Sequence, residues 1–380
     1  MYNHFIQFVV PRIGQALVAL VLYLNFLTLP FLRPLAGMPV LFFGLPLVLL
    51  AVLVWVARDP LGVGLAAAAQ LCGVYAAGDL VTLLAHLAGG IVWRVWQPVW
   101  QGGLLAWEVT AVLLFWGWRK AVKLCTTRYA VTTAKPLPGG RLRVVQLSDL
   151  HPGTGAMNHT RIPELYDRVE ELHPDVLVLT GDIFDEYTSR EDFDAFCALF
   201  GRWQVPGGKW FVQGNHDFFH YWRTPSYTRA ELEEKFAAAG VTILEDRTER
   251  LTLPRDTVPV RITGRRDWLD SKGSRLAPAE LQPGGPDGVY TLWLDHEPRE
   301  LRDAADAGAD LILSGHTHGG QIWPAGLVAR LFRYNEVNYG MKRVSGTCTA
   351  VVSGGTGTWG YKLRTAGRTE IVCVDITQKM

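Results

Sequence analysis

Two rhythms of apolar and polar positions divide this chain. Through residue 118 the sequence is almost continuously apolar, with runs at residues 12–32, 40–57, 61–93 and 104–118, to be set against the roughly 20 helical residues that cross a bilayer. Residues 61–93 exceed one span and are interrupted by Asp79, His86 and Gly89-Gly90; this predicts a helix near residues 63–86 followed by an interfacial segment. The expectation is an all-α, multi-span transmembrane anchor of about four helices over residues 1–125, retained rather than cleaved as a leader. From residue 141 the pattern changes. Short apolar runs at residues 143–147 (RVVQL), 175–179 (DVLVL), 209–212 (KWFV), 289–294 and 310–313 (DLIL) read as buried strands. Amphipathic stretches at residues 161–172, 190–200 and 298–307 alternate with them, which predicts a largely parallel sheet covered by helices. Residues 228–239 read as a further helix, and residues 241–244, 251–253 and 258–263 as short strands joined by turns. The fold expected over residues 142–380 is α/β, two packed sheets with helices outside in an α/β/β/α sandwich. Residues 126–141, with Pro136, Pro138, Gly139 and Gly140, read as a linker.

Composition changes this picture little. With 37 basic and 36 acidic residues among 380, the chain has no charge excess of the kind that nucleic-acid binding uses, and none is expected. Charge position says more. Trp93, Trp96, Trp100, Trp116 and Trp118 suit interfacial belts, and Arg119, Lys120, Lys123 and Arg128 follow at once. With four spans, this cluster, the amino terminus and Arg58 outweigh Arg33 and Arg94 on the other side, so the domain from residue 141 is expected in the cytoplasm. Cys72, Cys125, Cys197, Cys348 and Cys373 show no CxxC spacing, as free thiols in a reducing compartment would. Asp79, His86 and Glu108 are ionisable groups within or beside the spans; a structural role is favoured, with Arg94 as a partner.

The candidate chemistry sits where the predicted strands stop. Asp149 and His151 follow the first, Gly181-Asp182 the second, Gly214-Asn215-His216-Asp217 the third, His296 the next, and Gly315-His316-Thr317-His318-Gly319-Gly320 the last. In an open α/β sheet the crevice beyond the carboxyl ends of the strands collects ligands, so five separated motifs converge. Each alone is commonplace: an Asp after a strand caps helices, and a lone His is more often structural. Together they gather carboxylates, an amide oxygen and imidazoles, a donor mix suited to Mn, Fe or Zn. Five of the ten histidines, His151, His216, His296, His316 and His318, fall in these motifs. His216 with Asp217 beside it reads as a proton donor oriented by a carboxylate. Past the last motif, Ile322, Trp323, Leu327, Val328, Leu331 and Phe332 interleave with Arg330 and Arg333, either a membrane-facing edge or a core-facing helix.

In this order, DxH, GD, GNHD, a strand-end His and GHTH resemble the calcineurin-like metallophosphoesterase family over about residues 141–376. Gln321 after the glycines, and the run Ser353–Gly360 with Arg364 and Glu370, further resemble its membrane-associated bacterial branch, which includes relatives of a UDP-diacylglucosamine pyrophosphatase. The resemblance implies two divalent metal ions, with Mn favoured: Asp149, His151 and His318 on the first, Asn215, His296 and His316 on the second, and Asp182 bridging both. It implies catalysis by His216 with Asp217, through attack of a metal-bridging hydroxide on phosphorus. An arginine common near Gly354 in relatives is missing, so Arg364, Arg265 or Arg266 is expected to contact phosphate instead. The leading expectation is an integral-membrane phosphoesterase acting on a phosphoester or pyrophosphate of a lipid or lipid-linked substrate. The alternatives are a membrane-tethered nucleotide or phosphoprotein phosphatase, and a non-enzymatic metal-binding scaffold.

Overall fold

The computed structural model describes residues 19–27, 29–56, 63–101, 103–153, 155–218, 224–254, 258–268, 274–282, 286–360 and 362–379. The start of the first apolar run, Arg58, His4 and His220 lie outside these residues. The chain divides into two compact units, residues 1–118 and 119–380.

The first unit is helical, with α1 (Pro39–Val56), α2 (Val63–Ala88), α3 (Gly90–Gln101) and the start of α4 (Leu104–Val122). Four spans are not what the described residues provide. Ala66–Ala88 alone is long and apolar enough to cross a membrane, and Gly90–Trp100 with Leu104–Val122, bent by 70°, passes only as one broken span. The breaks have a backbone cause: Gly89, Gly90 and Gly103 adopt positive φ values of 63°, 56° and 68°, which glycine reaches without strain. Arg94 is not the partner of Asp79, since its Nε donates to the Gly90 carbonyl. Asn25 Nδ2 and Trp100 Nε1 donate to the two Asp79 oxygens, each at 3.1 Å.

The second unit holds two six-stranded sheets. The first has the order β1 (Leu124–Thr133), β12 (Thr369–Gln378), β2 (Arg141–Leu147), β3 (Val176–Thr180), β4 (Lys209–Val212), β5 (Val241–Ile243). In the second the order is β10 (Gly340–Arg343), β11 (Thr349–Val352), β9 (Leu311–Ser314), β8 (Tyr290–Leu294), β7 (Val260–Gly264), β6 (Arg247–Leu251). Strands β2 to β5 run parallel, as do β7, β8, β9 and β11. Because successive side chains alternate faces, Val144, Val176 and Val178 of the first sheet meet Ile262, Leu292 and Leu311 of the second. Their neighbours Val145, Leu177 and Leu179 face the other way, against α5 (Ile162–Glu170), α6 (Arg190–Arg202) and α7 (Arg229–Ala238). Trp293, Ile312 and Ala350 likewise pack on α8 (Leu301–Asp306).

The expected linker is a correction. Residues 124–133 form β1, paired in parallel along its whole length with β12 from Leu124↔Thr369 to Thr133↔Gln378. Breaker residues begin only at Pro136; before them the chain is rich in β-branched and aromatic residues that favour strands.

Candidate metal centre

Parallel pairing places the ends of β2, β3 and β4 side by side, and those of β8 and β9 on the facing sheet. Each motif turns sharply there. Asp149, His151, Asp182, His316 and His318 all adopt positive φ, between 42° and 69°, a region that costs non-glycine residues about 1–3 kcal/mol each unless the surroundings impose it. The surroundings do. Asp149 N donates to the Gly181 carbonyl at 3.0 Å, and His316 N donates to Asp149 Oδ1 at 2.9 Å. Three glycines allow this crowding: a Cβ on Gly181 would lie 2.3 Å from His296 Nδ1, one on Gly214 2.3 Å from Asp182 Oδ1, and one on Gly315 1.9 Å from Ser148 Oγ.

Two triads result, Asp149, His151 and His318, and Asp182, His296 and His316; within each, one donor atom per residue lies within 4.8 Å of the other two. Asp182 Oδ2 joins them, 3.5 Å from His151 Nε2 and 3.2 Å from His296 Nε2. Asn215 belongs beside the second triad, its Oδ1 3.0 Å from His316 Nδ1.

The donor chemistry fits divalent ions. His151 Nδ1 lies 3.0 Å from Asp185 Oδ2, and His296 Nδ1 lies 2.8 Å from the Thr180 carbonyl. These acceptors place a proton on Nδ1 and leave Nε2 as the ligating nitrogen. Both Nε2 atoms are buried without a hydrogen-bond partner. Burial opposes charge on His151, yet Asp182 and Asp185 raise its pKa to about 10, so the site favours positive charge there. Burial and the neighbouring His296 push His316 down to about 3, keeping that imidazole neutral.

His216 stands apart from both triads. Its ring centroid is 5.3 Å from that of His151, and its Nδ1 is 3.1 Å from Glu186 Oε2. The expected Asp217 partner is a second correction. Asp217 accepts from the backbone amides of Asp182, Ile183, Phe184 and Gly214 at 2.7–3.0 Å, stitching two motif turns together. Burial and the Asp182 charge push its carboxyl up to about 7. Asn215–Phe218 is a single helical turn, where adjacent side chains diverge by about 100°; Asp217 therefore points away from the imidazole. The sequence reading missed Asp185 and Glu186, though both follow within four residues of Asp182 in the same acidic turn.

The expected phosphate arginines are also differently placed. Arg364 is fully buried and donates to the His318 and Gly357 carbonyls at 2.6 and 2.9 Å. Arg265, almost fully buried, pairs with Asp295 and Glu300 at 3.2 and 2.8 Å.

Residues 142–320 match the calcineurin-like phosphoesterase family. Beyond that segment, the chain has relatives along more of its length. It is 30% identical over 295 residues to a transmembrane protein with metallophosphoesterase domain of Danio rerio, covering 72% of this chain and 62% of that one. A protein of the same description from Bos taurus is 29% identical over 269 residues, 64% of this chain and 56% of its own length. An uncharacterized metallophosphoesterase of Aquifex aeolicus is 29% identical over 259 residues, 66% of this chain and 91% of its own. This chain thus spans about six-tenths of the Danio rerio relative. Both triads, His216 and the Gly181, Gly214 and Gly315 approaches lie inside the matched calcineurin-like segment.

Proposed function

We propose that this protein is a membrane-associated, metal-dependent phosphoesterase that hydrolyses a phosphoester or pyrophosphate bond of a lipid or lipid-linked substrate. The observation that carries it is the pair of triads joined at Asp182 Oδ2, with a fifth imidazole, His216, beside their four. Asp149, His151 and His318 would hold one divalent ion and Asn215, His296 and His316 a second, with Asp182 shared; the donor set suits Mn first, and Fe or Zn as well. Such ions supply Lewis-acid charge to phosphoryl oxygens and make water a nucleophile at neutral pH. Water adds to phosphorus, the bond to the leaving oxygen breaks, and that oxygen takes a proton. His216 is the donor to the leaving group in this reading, its ring oriented through Nδ1 by Glu186. Asp217 holds the Asp182 and Gly214 turns in register.

A lipid substrate is supported by the apolar α2 in the same chain and by the transmembrane relatives in Danio rerio and Bos taurus. The basic cluster that begins in the last turn of α4, with Arg119 and Lys120, supports a cytoplasmic catalytic domain. Detergent-solubilised protein with Mn, offered a total lipid extract and a nucleotide panel in parallel, tests the assignment. A lipid product formed with His216 intact and lost in His216→Ala is expected. Preferential nucleotide cleavage would move the substrate class, and no hydrolysis by protein with full metal content would leave a metal-binding scaffold.

A further inference from the structure

The segment that follows the His318 turn is neither buried nor polar. Leaving the 3-10 turn His318–Gly320, the chain enters the short helix α9 (Ala325–Leu331), where Leu327, Leu331 and Phe332 are 60%, 74% and 64% exposed. A core-facing helix would bury these side chains. Arg330 and Arg333 are exposed beside them; residues 316–335 contain no Asp or Glu, and Glu336 just past them accepts from Leu301 N at 3.2 Å. At the neighbouring sheet edge β10 continues the composition, with Met341, Lys342 and Arg343 all exposed. Exposed apolar side chains clustered with basic ones in this way are a binding surface rather than scattered surface residues.

This face is fixed to the metal centre. A Cβ on Gly320 would lie 2.6 Å from Gly326 Cα, so α9 presses directly on the turn that carries His318. Asn338 Nδ2 donates to the Gly326 carbonyl at 3.0 Å, and Thr317 Oγ1 donates to the Asn338 carbonyl at 2.5 Å. Arg364 clamps the same turn through the His318 carbonyl. Whatever α9 rests on therefore lies a few residues from the ligands.

We infer that α9 and its flanks are a lipid-docking face that seats the candidate metal centre on an anionic bilayer. The inference rests on the membrane association proposed above and adds a second contact, made by the catalytic domain itself. Apolar residues enter the headgroup boundary while Arg330 and Arg333, joined by basic charge from the β10 edge, meet anionic lipid, as in interfacial amphipathic helices. Charge selects this occupant: four basic side chains against one carboxylate, Glu336, which accepts from Leu301 N, complement an anionic surface and repel a second copy of the same face.

The test uses the full chain in nanodiscs of phosphatidylcholine alone or mixed equally with phosphatidylglycerol. Leu331→Cys carries an environment-sensitive fluorophore; Glu234→Cys, exposed on α7, is the comparison, and the labelled native cysteines give the background. A blue-shifted emission quenched by doxyl-labelled lipid is expected at position 331 and not at 234, and strongest with phosphatidylglycerol. Arg330→Gln and Arg333→Gln should each weaken that lipid preference about fivefold. Equal, water-like emission at both positions in both lipids would overturn the inference. So would shielding of position 331 in detergent that grows with protein concentration, which would assign the face to self-association. The same samples separate this inference from the substrate reading: insertion of position 331 without lipid hydrolysis sinks only the lipid substrate. Lipid hydrolysis that persists with position 331 in water sinks only the docking face.

Discussion

His216 is held by Glu186 at 3.1 Å and lies outside both triads, so its loss should affect chemistry and spare metal content. His216→Ala is expected to keep both ions by elemental analysis while slowing an alkyl phosphoester by about 100- to 10,000-fold; an activated aryl ester, which needs little protonation, should lose far less. Glu186→Gln should give a milder form of the same leaving-group dependence. Asp217→Asn should instead lower the melting temperature, because it disturbs the acceptor of four backbone amides, each buried polar group left unpaired costing about 1–3 kcal/mol. The sequence made the candidate ligands legible because each follows a strand end. It hid the His216 partner because adjacency in a helical turn is not contact. A pH effect follows from His151, raised to about 10 by Asp182 and Asp185 against the cost of burial. Below that pH the imidazole holds a proton that an incoming ion must displace, so metal affinity should rise with pH through the neutral range, up to about tenfold per unit for each proton released. Calorimetry in buffers of different ionisation enthalpy would show proton release on binding, and its failure to appear would contradict this protonation state.

Strands β2, β3, β4, β8 and β9 were readable as apolar runs because parallel strands covered on both faces hide nearly every side chain. Edge strand β1 was not. Of its ten residues only Leu124 and Val131 are buried, and the polar remainder resembles a connection. Residues 340–343 are similarly exposed at the far edge of the second sheet. If β1 is part of the fold, a chain trimmed to begin at Arg141 should uncover β12, with its buried Ile371 to Val374, and aggregate or melt earlier than one beginning at Arg119. Equal melting curves would restore residues 126–141 to a linker. The motif turns give a second expectation at this scale. Gly181→Ala places a methyl 2.3 Å from His296 Nδ1 at a φ of 80°, so it should displace that imidazole and lower metal content even though no ligand is changed. Full occupancy in this variant, measured by elemental analysis, would show that the turn can yield.

At the scale of the whole molecule, the apolar amino-terminal unit was legible as helical, and so was the interruption at Gly89-Gly90, but its span count was not, because hydrophobicity does not report how far each helix runs. The proposed cytoplasmic placement has a direct test: protease added outside spheroplasts should spare residues 141–380, and digestion from outside would reverse the orientation. The pairing of β1 with β12 also sets a timetable for biogenesis. Leu124 leaves the ribosome 245 residues before its partner Thr369, the difference between their numbers, and at about 5–20 residues per second this delay is ~12–50 s. Throughout that interval the strand that follows α4 in the chain waits with an unsatisfied edge, and the first sheet can close only when nearly the last residues have been made. For this chain, the vulnerable moment is late translation, when the apolar helices have long been made and the first sheet still lacks the strand that joins β1 to β2.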